Sequence, residues 1–419
     1  MYMESYTLVY ICIRYRLIRV FTYVKYTLFR FVNMKNEMLR NLFKEESYYS
    51  IKFSEIAGRY VTNSSLEIVR KRFKNNFKIH ESGKSVQGKS IYSFKIGSGK
   101  IKILAWSQMH GNESTTTKAV FDLLNSFKLN SEDEVISNIL ENCSLCIIPI
   151  LNPDGAEAYT RVNAKLIDLN RDLQDLSQPE SRLLKDIYNE FKPDFCLNLH
   201  DQRTIFSAGN NSRPATLSFL TPSKDEERTI DKYRKRSMSL IAGMTADLNE
   251  YLPGAIGRYD DGFNINCAGD TFQNLSTPTV LFEAGHFPDD YEREETRKHI
   301  YRAIISCLHQ ISKGKLEYSD YEEYFQIPEN EKLFSDIIIR RALINGEVKD
   351  ISIQFKEVLK NNKINFLPII SKVATQISNY GHKEIDAEKN ETKLLDNSEI
   401  IENVIVNKIV INNEELEVK

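Results

Sequence analysis

Four apolar runs in this 419-residue chain each stop at residues that can do chemistry. KIKILAW leads to His110 and Glu113, CIIPIL to Asn152-Pro-Asp-Gly155, DFCLNL to His200, and TVLF to Glu283. Between and after them lie stretches with apolar residues at helical spacing: STTTKAVFDLLNSFK, a helix near 180–191, a long helix near 225–250 and a closing helix near 293–313. Strands that are apolar throughout and alternate with helices need cover on both faces. The expected fold class is therefore α/β, a β-sheet flanked by helices. KSIYSFKIGSGKIKILAW reads as a hairpin around Gly97-Ser98-Gly99, which makes the sheet mixed. SSLEIVRKRFKNNF, ahead of it, reads as a helix begun by a serine cap.

In an open α/β sheet, ligands collect outside the carboxyl ends of the strands. Two histidines and a carboxylate, with a fourth position left to water, form a catalytic zinc shell. A further carboxylate beside that water is the usual general base. His110 and Glu113 do not decide the matter alone, because Glu113 could serve the first turn of a helix and His110 could be a polar strand end. The loop NPDGAEAYTRVNAKLIDLNRDLQ adds Arg161, Asp168, Asn170 and Arg171. Its arginines suit fork-like binding of a carboxylate or polarisation of a carbonyl. Taken singly, they read as a solvated loop pair, with Asp168 as a turn former.

The pieces HGNE, NPDG, R-x-N, DLNRD, LNLHDQ and LFEAGH, in this order over roughly residues 70–312, resemble the zinc carboxypeptidase (metallocarboxypeptidase) family, as a bacterial-type peptidase. The resemblance implies that His110, Glu113 and His200 bind one zinc ion and that Glu283 is the base and proton shuttle. It implies that Arg161 stabilises the oxyanion, that Asn170 and Arg171 hold the substrate's terminal carboxylate, and that Asp168 orients His110. Tyr259, in GRYDDGFN, lies near the place of the family's mobile tyrosine, which closes over substrate. Asp201 and Arg203 read as a structural pair rather than pocket lining, and His286 as a structural neighbour of Glu283.

The implied activity is zinc-dependent hydrolysis of C-terminal peptide bonds, on a peptide or small amide with a free carboxylate. The alternative is a deacylase of N-acyl amino acids, like succinylglutamate desuccinylase or aspartoacylase, which share an HGNE-like start and the R…DLNR loop. NPDG and the full sheet after His200 favour the peptidase. A non-catalytic zinc-binding scaffold is disfavoured by the presence of all three ligands with Glu283 and Arg161.

Three segments are expected. Residues 1–37 read as a poorly ordered or misannotated extension, with an interfacial basic helix as the other possibility; 38–318 form the zinc carboxypeptidase-like catalytic domain; 319–419 form a small β-containing accessory region with little chemistry. Arg14, Arg16, Arg19, Lys25 and Arg30 break every apolar window of the first segment, so no stable membrane insertion is expected. A net charge of -2 gives no reason to expect nucleic acid as a partner. Six cysteines in so long a chain make no disulfide framework. Cys143 and Cys146 read as buried strand thiols. A reducing compartment follows, and the cytoplasm is the expected location.

Overall fold

Neighbouring residues of a strand point to opposite faces of a sheet, and here each face has its own helical cover. The computed structural model describes residues 37–314, 318–396 and 398–418. The readings made for residues 1–36 lie outside the described residues. The chain divides into two units, the first ending at Ser50 and the second running from Ile51 to Lys419. The first is helical where described: α1, which ends at residue 43, and most of α2 (Glu45–Ile51).

The second unit opens with α3 (Asn63–Phe73). Its cap is Thr62, whose hydroxyl accepts from Ser64 N while Ser65 answers to the Thr62 backbone. The cap therefore falls two residues ahead of the serine expected from SSLEIVRK, since Thr62 is the last residue with extended backbone before the helix. The central sheet holds β1 (Lys78–Lys84), β2 (Ser90–Ile96), β3 (Ile101–Ser107), β4 (Cys143–Ile148), β5 (Phe195–Asp201), β7 (Leu217–Leu220), β8 (Ile256–Arg258) and β9 (Thr279–Ala284), in the order β1-β2-β4-β3-β5-β9-β7-β8. Strands β4, β3, β5 and β9 run parallel, while β1 and β2 at one side and the β9–β7 pair are antiparallel. The sheet is mixed, as expected, but not through the expected hairpin. β2 and β3 do not pair; β4 lies between them. The cause is steric. A Cβ on Gly97, which has φ +74°, would lie 2.3 Å from Cys143 O, and one on Gly99 would lie 1.8 Å from Asn142 C. The glycine turn is seated on the start of β4, so the chain leaves room for that strand instead of folding back on itself.

The helices are α4 (Thr115–Leu129), α5 (Glu134–Asn142), α6 (Pro153–Ala158), α7 (Pro179–Phe191), α8 (Lys232–Leu248), α9 (Ala268–Asn274) and α10 (Glu294–Ser312). Ile103, Ala105, Leu145, Ile147, Leu197 and Leu199 face Val120 and Leu123 of α4 and Ile304 and Leu308 of α10. Their neighbours Leu104, Trp106, Cys146 and Ile148 pack on the other face with Leu184 of α7 and Phe272 of α9. Cys143 and Cys146 are buried and free, as read from the sequence. On the first face, Arg297 of α10 grips Asp122 of α4, both fully buried, through Nε and Nη2 at 2.7 and 2.6 Å.

The remaining strands are β6 (Ser207–Ala208), paired with β10 (Asn330–Glu331), and two C-terminal sheets. One has the order β13-β12-β11-β14, from β11 (Phe334–Ile344), β12 (Glu347–Lys360), β13 (Lys363–Ala374) and β14 (Tyr380–Asp386). The other joins β15 (Thr392–Leu394), β16 (Lys408–Ile411) and β17 (Glu414–Glu417), and an aliphatic core of Ile337, Ile339, Ile351, Ile353, Ile409 and their neighbours lies between the two. Among the described residues no helix is long and apolar enough to cross a membrane.

Candidate metal centre and active site

His110, His200 and Glu283 come together because β3, β5 and β9 are parallel neighbours that end at the same edge. His200 is directly opposite Glu283 in the register of β5 and β9. The loop after β3 is held open by a close crossing: a Cβ on Gly111 would lie 1.9 Å from Gly155 C, so HGNE and NPDG pass at backbone contact. Asn152 locks that crossing, accepting from Gly155 N at 2.9 Å and donating to Met109 O at 3.2 Å.

Three donors converge there. His110 Nδ1 lies 2.8 Å from Glu113 Oε1, His200 Nδ1 lies 2.8 Å from Glu113 Oε2, and the two Nδ1 atoms are 3.2 Å apart. A tetrahedral zinc ion with bonds of about 2.0–2.1 Å needs donors roughly 3.3 Å apart. Two imidazole nitrogens and a carboxylate, all buried, match that need in both spacing and chemistry. The residues present fit a metal ion. Asp168 Oδ1 lies 3.0 Å from His110 Nε2, on the side of the ring away from the other two donors.

The other reading of Glu113, as a helix cap, fails on geometry. Its carboxylate turns to the two histidines, and the first turn of α4 is served by Asp201, which accepts from Thr115 N at 2.8 Å and Thr116 N at 3.2 Å. The sequence pairs Asp201 with Arg203; in the structure its partners are instead backbone amides, because β5 delivers it to the N-terminus of α4. No signal in the sequence announced that role. The threonines of α4 are tied inward, with Thr116 and Thr117 hydroxyls each 2.8 Å from Ser107 Oγ.

Arg161 reaches the cluster through Nε to Asp168 Oδ2 at 3.0 Å and Nη1 to Glu113 Oε1 at 3.3 Å. Asn170 and Arg171 lie further along the same loop. Asn170 Oδ1 accepts from Ala268 N at 2.9 Å, and Arg171 Nη1 contacts Cys267 Sγ at 3.1 Å, so both sit by the start of α9. Tyr259 follows β8 directly, and its ring lies 5.2 Å from that of Phe206. Burial, then the charges of Glu283 and Glu113, push its hydroxyl far up, which places it within their field. His286 is buried against the His382 ring at 4.2 Å and belongs to no group of potential metal ligands among the described residues.

The electrostatics separate the two glutamates. Burial alone would raise the Glu113 carboxyl, but the charge of His110 and hydrogen bonds from both histidines hold it well below the usual range. Glu283 is pushed well above its ordinary value by burial, then by Glu113 and Asp201, with Arg161 opposing. Its Oε2 is buried with no hydrogen-bond partner among the described residues. A carboxyl that retains proton affinity beside the donor cluster is suited to proton transfer.

Asp270 of α9 carries a related penalty. Burial pushes it up to about 7, against the Asn264 amide and the charges of Arg171 and Arg234. A raised carboxyl pKa in the folded state means that stability is full below about pH 4 and falls as pH rises toward 7, because the native state then holds the extra proton. The penalty reaches the order of 2–4 kcal/mol above pH 7. Asp270→Asn is expected to raise the thermal midpoint by several degrees at pH 8 and by clearly less at pH 5; equal shifts at both pH values would contradict the assignment.

The C-terminal strands supply what the sequence did not reveal. A cleft of about 600 Å³ opens from Glu113 and Arg161 and is walled on its far side by β12 and β13, including Phe355, Glu357 and Phe366. The region expected to hold little chemistry thus borders the donor cluster. The strand alternation of QFKEVLK gave no sign of it, since the contact depends on how distant segments pack.

Residues 62–193 match the family model described as zinc carboxypeptidase. The chain is 22% identical over 287 residues to carboxypeptidase D of Homo sapiens, covering 59% of this chain and 21% of that protein. It is 31% identical over 169 residues to carboxypeptidase SOL1 of Arabidopsis thaliana, covering 35% of this chain and 34% of that protein. The chain therefore spans about a fifth to a third of the length of these curated relatives. Among solved structures it shares its fold with a metallo-carboxypeptidase from Burkholderia cenocepacia, at a TM-score of 0.50 and 14% identity, covering 61% of this chain and 70% of the other. These matches favour the peptidase over the deacylase alternative. In its motifs, its matched segment and its mixed sheet, the chain is similar to zinc carboxypeptidases.

Proposed function

We propose that the chain is a zinc metallocarboxypeptidase that removes the C-terminal residue of a peptide or small amide with a free carboxylate. The observation that carries this reading is the convergence of His110 Nδ1, His200 Nδ1 and the Glu113 carboxylate within 2.8–3.2 Å, with Glu283 on the adjoining strand. His110, Glu113 and His200 would hold one zinc ion. When bound, zinc supplies Lewis acidity, which makes a water more acidic and a carbonyl more electrophilic. Glu283 takes the water's proton as its oxygen attacks the scissile carbonyl, and later gives that proton to the leaving amine. Arg161, half exposed and pinned by Asp168, presents its guanidinium to the developing oxyanion. Asp168 keeps His110 in the required tautomer. Asn170 and Arg171 hold the terminal carboxylate, and Tyr259 closes over it. In this reading residues 38–318 form the catalytic domain and 319–419 an accessory region. The five free cysteines of the described residues support work in a reducing compartment, for which the cytoplasm is our reading.

Carboxylate recognition gives the test. A free-acid peptide should lose residues from its C-terminal end, and the same peptide as a C-terminal amide should not. Arg171→Ala should lower kcat/KM on the free acid by about 10- to 100-fold, the value of a charge-assisted hydrogen-bonded pair, and barely change the residual rate on the amide. Equal turnover of acid and amide by the unmodified enzyme would remove the exopeptidase reading.

A further inference from the structure

The cleft beside the donor cluster leads away from the carboxylate-binding side. Asn170 and Arg171 pack at Cys267 and Ala268 and take no part in its lining, whereas Glu113 and Arg161 form its inner end. A peptide held by its terminal carboxylate at Arg171, with the scissile bond at the donor cluster, must therefore run its preceding residues through this cleft. About 600 Å³ lies within the range of pockets that enclose a ligand segment.

The walls of the cleft are unequal in charge once internal partners are counted. Glu357 of β12 faces Arg59 at 3.0 Å and accepts from Tyr159 Oη at 2.5 Å. Asp336 accepts from Tyr291 Oη at 3.0 Å and Phe355 N at 2.6 Å. Asp201 is taken up by the start of α4, and Glu113 by the two histidines. Every acidic group of the lining is thus engaged. Arg203, exposed just past β5, has no hydrogen bond or ion pair with any described residue. Beside it the rings of Tyr291, Phe355 and Phe366 form a partly exposed cluster, with centroids 5.1–6.3 Å apart. Aromatic faces of that kind provide a surface for a peptide backbone, and an unpaired guanidinium provides a site for a carboxylate.

We propose that this cleft selects peptides with an acidic side chain in one of the two residues before the scissile bond, with Arg203 as the group that binds it and the aromatic wall of the C-terminal sheet as the surface that carries the chain. The inference rests on the carboxypeptidase reading and adds a substrate class to it. The test uses zinc-loaded full-length protein and blocked peptides acyl-Glu-Ala-Phe and acyl-Ala-Glu-Phe, each beside its Gln counterpart. The expected result is a Glu:Gln ratio in kcat/KM of about ten or more at one position, equivalent to about 1.4 kcal/mol, which falls as salt is raised. Arg203→Gln should bring that ratio near one, and Arg203→Glu should invert it. A ratio near one in the unmodified enzyme, or one that survives Arg203→Glu, would overturn the proposal while leaving the carboxypeptidase reading intact. Failure to shorten any of the four peptides would instead overturn that reading, and the proposal with it.

Discussion

Glu283→Gln is expected to keep one zinc ion per chain and to lose about 10³- to 10⁴-fold in kcat. Glutamine keeps the shape of the side chain at the end of β9, opposite His200, so the fold and donor cluster have no reason to move. It has no basic oxygen to accept the water's proton and no proton to pass on to the amine. The loss should appear in kcat with little change in KM, since Glu283 acts in the transition state rather than in substrate binding. Metal content by mass spectrometry, measured alongside turnover, separates this outcome from simple loss of the ion. Turnover within tenfold of the unmodified enzyme would contradict the role.

The second large effect is on stability. Asp122→Ala should cost about 3–5 kcal/mol, read as a fall in the urea midpoint. Asp122 accepts from Arg297 Nε and Nη2, and Phe53 N adds a third bond at 2.7 Å. Arg297 also donates to Phe53 O and Ile56 O at 2.9 and 2.7 Å. Both charged side chains are fully buried. Removing the carboxylate takes from the buried guanidinium its two-point partner in α4 and leaves Glu294 Oε2, 3.2 Å from Nη1, to balance a charge held in the interior, a cost that adds to the lost bonds themselves. Asp122→Asn keeps the volume and one acceptor and should cost less. A midpoint unchanged in the alanine variant would show that water reaches this pair.

The fold class was legible because β3, β4, β5 and β9 are apolar on both faces, a pattern that only a sheet with two helical layers satisfies. The order of strands was not. Gly97 and Gly99 looked like a hairpin turn, and only their contact with Asn142 and Cys143 shows why β4 enters between the strands they connect. The donor set was readable because His110, Glu113, His200 and Glu283 each follow an apolar run, and parallel strands that end together must bring such residues together. Asp201 and Arg203 were harder. One residue separates them, yet the first turns into α4 and the second out to a cleft. The wall formed by Phe355 and Phe366 depends on packing between segments some two hundred residues apart, which no local pattern in the chain encodes.

One measurement tests the central claim most directly. Zinc-depleted and zinc-reconstituted protein are each incubated with one free-acid peptide, and the products are read by mass spectrometry. The expected result is loss of single residues from the C-terminal end alone, only after one equivalent of zinc is restored. Cleavage inside the peptide or from its N-terminus, or equal activity in the depleted protein, would contradict it.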